Sequence, residues 1–180
     1  MNKSRFVRFS FLFAAATFLM VSAAKAAGPY QFFSVTPCRL VDTRGPVAVD
    51  GGPILSHGMV RNFAVWGSNA TLLPACGIPS DGTVKAVTLN ITVVNPTSLG
   101  HLTAYPFCVG TPTFCNSFTS AGGAIPVVST INYDAGEPAL GNGAIVPVTN
   151  DPSFQISLLP VLTGSGNTVH AIIDITGYFK

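Results

Sequence analysis

From Val87 to Val93 apolar and polar residues alternate without a break, with Val87, Leu89, Ile91 and Val93 on one parity and Thr88, Asn90 and Thr92 on the other. A period of two places successive side chains on opposite faces of an extended backbone, so the segment predicts a strand with one buried face. Ser80-Asp81-Gly82 supplies a turn before it. Asn95-Pro96 ends it, because proline brings no N–H to a ladder and restrains the residue ahead of it. A second alternating run closes the chain, with Ala171, Ile173, Ile175 and Phe179 on one side and His170, Asp174, Thr176 and Tyr178 on the other. It predicts another core strand.

Shorter segments read as strands at Phe33 to Val41, Arg61 to Trp66, His101 to Tyr105, Val127 to Tyr133, Ala144 to Val148 and Phe154 to Leu159, each bounded by Gly, Pro, Asn or Asp. No stretch of a dozen residues carries helical spacing of apolar positions without a Gly or Pro inside it. The expected class is therefore all-β: an antiparallel, jelly-roll-like β-sandwich of about eight strands, stapled by disulfides. Spacing alone leaves sandwich, jelly roll and closed barrel open as topologies. Gly45 to Gly58 holds Gly-Pro, Asp-Gly-Gly-Pro and Ser-His-Gly in succession, a long turn-rich connection of the kind that is more often docked or functional than idle.

The first 26 residues follow a different rule. Lys3, Arg5 and Arg8 make a basic start, Phe9 to Ala24 an apolar run too short for a membrane span, and Ala24-Lys25-Ala26 a small-residue cleavage pattern. This order predicts a secretory signal over 1–26, cleavage after Ala26, and one domain over 27–180 exported by the general route to the periplasm, the cell surface or the medium. Four of the nine basic residues leave with the signal and all seven acidic residues stay, so the mature chain has a net charge of −2. Its cations, Arg39, Arg44, Arg61, Lys85 and Lys180, are scattered, which disfavours nucleic acid as a partner.

Four cysteines in an exported domain imply two bridges among three possible connectivities. Cys108 and Cys115 stand close enough to close a local loop, which leaves Cys38 with Cys76. Neither Cys-x-x-Cys nor a lone thiol is present to suggest redox chemistry, so these are structural staples.

Candidate chemistry is sparse. His57, His101 and His170 lack the companions of a zinc site, and no Gly-x-Ser-x-Gly elbow is present. Neither a metal nor a cofactor is expected. Asp42-Thr43-Arg44 and Asp174-Ile175-Thr176-Gly177 carry carboxylates that, brought together, would suit an acid and base pair. Aspartic proteases carry Asp-Thr-Gly, however, and Arg44 replaces that glycine. A structural ion cluster of Arg44 with Asp42 or Asp174 is the expected use. Trp66, Tyr105, Tyr133 and Tyr178 offer aromatic faces for stacking on sugar rings, with Trp66, Tyr105 and Tyr133 as the candidate ligand residues, although aromatic residues on strands more often pack in cores.

One pattern extends across the mature chain: Thr36-Pro37-Cys38-Arg39-Leu40-Val41-Asp42-Thr43-Arg44, Gly51-Gly52-Pro53, Cys76-Gly77-Ile78-Pro79, the run from Val87 to Val93, Gly100 to Pro106, Ser129 to Tyr133, and Ile173-Asp174-Ile175-Thr176-Gly177-Tyr178-Phe179. In this order it resembles an exported bacterial β-domain family that occurs alone or appended to secreted and surface proteins. The resemblance implies a non-enzymatic all-β domain and assigns no catalytic residue. The segment from Cys108 to Cys115 and Glu137-Pro138 depart from the pattern. Together these readings predict a secreted or surface-attached, non-catalytic binding or structural module of unknown partner. A glycan or cell-surface component and self-association are the two partner classes to test.

Overall fold

The computed structural model describes residues 28–66, 76–107 and 128–180. Among them lie β1 (Phe32–Asp42), β2 (Leu55–Ser56), β3 (Arg61–Phe63), β4 (Ala86–Val94), β5 (Gly100–Pro106), β6 (Ile131–Tyr133), β7 (Leu140–Pro147), β8 (Ile156–Leu162) and β9 (Thr168–Phe179). The segment 1–26 expected to be a signal, Cys108, Cys115 and Val127 lie outside the described residues.

Two antiparallel sheets form a sandwich. One runs β1-β9-β4-β7, with the short β2 also paired to β9, and the other runs β3-β8-β5-β6. Setting β2 aside, β1 pairs with β9, β3 with β8, β4 with β7 and β5 with β6, the nested ladders of one long ribbon folded back on itself. Pairing of β9 with β4 and of β8 with β5 then rolls that ribbon into two sheets, which is the jelly-roll arrangement. The core lies between them. Val87, Ile91, Val93, Ile173 and Ile175 from one sheet meet Phe63, Leu102, Ile156 and Leu158 from the other, all fully or almost fully buried.

Several strand limits depart from the sequence reading for local reasons. The segment expected from Arg61 to Trp66 leaves its ladder after Phe63, because the N–H groups of Val65 and Trp66 are taken by the Gln155 side chain. β7 starts at Leu140, ahead of the expected Ala144, since pairing with β4 carries Gly141 and Gly143 into the sheet despite their low strand propensity. The loop expected from Gly45 to Gly58 contains β2 and is gathered by Arg61. The Arg61 guanidinium donates to the carbonyls of Ala48, Gly51, Gly52 and Pro53 at 2.6–2.9 Å and stands 5.1 Å from the centre of the Phe63 ring. Burial pushes the Arg61 pKa below its ordinary value, with Asp50 opposing.

In β9 the expected alternation holds to Ile175 and then changes face. Leu89 faces Ile175 while Thr88 faces Gly177, so Thr176 is the extra residue of a β-bulge. Beyond it Tyr178 turns into the core and Phe179 turns out, the reverse of the expected sides. Gly177 is required here, because a Cβ would lie 2.5 Å from the Phe32 ring and 2.7 Å from the Phe33 carbonyl oxygen. The ring can swing away but the carbonyl belongs to the ladder. Gly177→Ala is therefore expected to lower stability by roughly 1–3 kcal/mol, read from urea unfolding. An unchanged midpoint would mean that the strand ends part freely.

Candidate functional site

The register aligns the outer face of the five-stranded sheet into rows. Phe32, Phe179, Ala86 and Pro147 stand in one row across β1, β9, β4 and β7. Ser34, Gly177, Thr88 and Ile145 form the next, and Arg39, Asp174, Asn90 and Gly143 one beyond it. The face is thus apolar at one end and ionic towards the other.

At the apolar end the Phe32 and Phe179 rings lie 5.3 Å apart. Tyr30, Ile145, Pro147, Val148 and Phe179 line an open groove of about 850 Å³ that also meets Lys85 and Asn150. Ile145 is 64% exposed and Phe32 52%. Contiguous exposed apolar area of this kind marks interaction surfaces. None of these residues was singled out from the sequence, since the bulge that turns Phe179 outward and the register that gathers the row are both tertiary.

At the ionic end Asp42, Arg44 and Asp174 are joined by Arg39. Arg44 donates from Nε and Nη2 to Asp42 at 2.8 and 2.7 Å, and its backbone N–H donates to the same carboxylate at 3.1 Å. Arg39 donates to Asp174 from Nε at 2.5 Å and to Asp42 from Nη1 at 3.2 Å. Arg44 thus takes only the first of its two expected carboxylate partners, and Arg39 takes the other. Sequence reasoning passed over Arg39, whose place opposite Asp174 follows from the β1–β9 register.

Between the two ends of Asp42-Thr43-Arg44, Thr43 is buried. It accepts the Ala171 N–H at 2.9 Å and bonds His170 Nδ1 at 3.1 Å. The motif therefore makes a turn that locks onto β9.

The electrostatics run against an acid and base pair. The Arg44 side chain, aided by its backbone N–H and by Arg39, holds the Asp42 carboxyl at about 2, below its ordinary 3.8, while partial burial works the other way. A general acid needs the opposite shift, and both carboxylates are engaged by arginine. Because the folded pKa is depressed, the stabilisation from Asp42 is present above about pH 4 and is lost as pH falls towards about 2. The urea midpoint should fall across that interval, and Asp42→Asn should flatten the fall. Equal slopes for the two proteins would remove Asp42 from the acid limb.

The candidate sugar-stacking residues are not brought together on the surface. Trp66, Tyr105 and Tyr133 are 6%, 7% and 5% exposed. Trp66 and Tyr133 belong to the core between the sheets, while Tyr105 is buried on the other parity of β5 from the core residue Leu102. Tyr133 Oη donates to the His101 carbonyl at 3.3 Å, and burial pushes its phenol up to about 12 and raises that of Tyr105. These three residues form no ligand platform, a correction to the sequence reading. Tyr178 is also inward.

Cys38 and Cys76 form a disulfide that ties β1 to the segment ahead of β4. His57 Nδ1 accepts the Leu162 N–H at 2.9 Å. Among the described residues no three His, Cys, Asp or Glu side chains gather as a metal site would require.

No family model matches the chain, and no curated protein matches it. Among solved structures it is similar to a chain of the native virion of Kashmir bee virus at acidic pH, with a TM-score of 0.31 and 7% identity over 99% of this chain and 88% of that one. The virion at neutral pH gives a TM-score of 0.28 and 9% identity over 99% and 87%.

Proposed function

We propose that this chain is an exported, non-catalytic binding or structural module that engages its partner with the outer face of its five-stranded sheet. The observation that carries the reading is the apolar row of Phe32, Phe179, Ala86 and Pro147 with Ile145 beside it, standing open on a folded, cross-linked domain. The Cys38–Cys76 bond supports a place outside the cytoplasm, where disulfides persist. Arg39 and Arg44 on the two carboxylates support a structural role for the residues that would otherwise suit hydrolysis.

The test uses the chain expressed from Met1 in an exporting bacterial host and recovered oxidised from outside the cytoplasm. Its binding to intact cells and to cell-wall polysaccharide is measured beside a Phe32→Ser, Ile145→Asp variant, together with release of new sugar reducing ends. Saturable binding that the variant loses, without reducing ends, is the expected result. Retention in the cytoplasm, binding indifferent to the two substitutions, or turnover of the polysaccharide would overturn the reading.

A further inference from the structure

We propose that two copies of this chain pair edge to edge through β7, joining their five-stranded sheets into one continuous sheet. The inference deepens the reading of the outer face as an interaction surface and rests on it. Among the described residues β7 is the last strand of its sheet and is paired only with β4. Just past it, Val148 donates its N–H to the Lys85 carbonyl at 3.0 Å. Backbone groups alternate sides along a strand, so Val146, Ala144, Asn142 and Leu140 also turn theirs to β4. Gly141, Gly143 and Ile145 then present N–H and C=O to the open edge, and Pro147 presents its C=O. All four residues are exposed.

Asn142 anchors the strand by donating from Nδ2 to the Thr130 carbonyl at 2.6 Å, which uses none of the edge groups. Edge strands are ordinarily protected by charge, above all lysine, by proline or by a covering segment. Leu140–Pro147 carries no charged residue, and its one proline stands at the last position, beyond the stretch from Gly141 to Ile145.

The sequence of this edge complements itself. With Gly143 on a two-fold axis, it faces the partner's Gly143, and Ile145 faces the partner's Gly141. About six backbone hydrogen bonds follow from the antiparallel pattern. Each exposed isoleucine side chain lies across from a residue with no side chain, and two uncharged strands meet with no like-charge cost. The isologous contact closes at two copies.

Sedimentation of the exported, oxidised protein over a wide concentration range should show a monomer–dimer equilibrium. Gly143→Pro removes the central edge donor and Ile145→Lys places a charge on the edge. Each should raise the dimer midpoint by roughly tenfold or more while leaving the unfolding transition in place. Register is read with single cysteines: Gly143→Cys should cross-link to its own kind, Ile145→Cys should not, and a mixture of Gly141→Cys with Ile145→Cys should.

If either edge substitution fails to fold, the cross-linking pattern decides. A monomer at every concentration, a midpoint moved by neither substitution, or cross-links that ignore this register would overturn the dimer. A monomer that still binds cells or polysaccharide would do so without touching the function proposed above.

Discussion

Replacing Gln155 by leucine is expected to cost roughly 2–5 kcal/mol, a large share of the 5–15 kcal/mol by which a domain of this kind is ordinarily stable. Gln155 has no exposed surface. Its Oε1 accepts the N–H groups of Val65 and Trp66 at 2.5 and 3.0 Å, and its Nε2 donates to the Asp151 carbonyl at 2.6 Å. Its backbone also donates to the Phe63 carbonyl at 3.1 Å and accepts from Phe107 at 2.9 Å. The residue thus receives the chain as it leaves β3 and ties it to the start of β8.

Leucine has similar volume, so the substitution removes hydrogen bonds without opening a large cavity. It leaves two N–H groups unpaired at residues that are themselves buried, and each such group costs about 1–3 kcal/mol. The urea midpoint at neutral pH is the measurement, with the slope checked so that a change in the denatured state is not read as a change in stability. A loss below about 1 kcal/mol would mean that Val65 and Trp66 find other acceptors.

Removal of the Cys38–Cys76 bond as a Cys38→Ser, Cys76→Ser pair should cost about 4 kcal/mol. The bridge spans 38 residues, and closing a loop of that length withdraws entropy from the unfolded chain on that order. The native contacts around it are modest, since both cysteines are only partly buried. The expected signature is therefore a lower midpoint with little change in the native near-UV spectrum. The double substitution isolates this bond. A loss of less than about 1 kcal/mol would show that the unfolded chain is already restrained between those positions.

The strands with one buried face were legible because their chemistry is periodic. Val87 to Val93 and the closing run through Ile175 declare their inward side residue by residue, and the structure buries that side. Where a strand lacks the period, the limits moved. Gly141 and Gly143 resemble a turn in isolation and become strand because β4 offers a ladder. Val65 and Trp66 read as strand and leave it because a side chain distant in sequence competes for their N–H groups.

The site was legible only in part, and for the same reason. Asp42 and Arg44 are two residues apart, so their pairing is local chemistry. The contact of Asp174 with Arg39 depends on a register between strands at opposite ends of the chain. For Trp66, Tyr105 and Tyr133 the sequence left both a stacking face and a packed ring open, because residue type alone does not distinguish an exposed ring from a buried one.

What the sequence by itself determined is the all-β class and the buried parity of its best strands, because hydrophobic alternation is a property of neighbouring residues and needs no partner to be read. The nested jelly-roll pairing, the switch of Phe179 to the outside at Thr176, the Arg39 bridge and the uncharged open edge of β7 were decided only by the tertiary structure. Each depends on which distant segment supplies the hydrogen bonds, and in a sheet that choice is made between strands rather than within one.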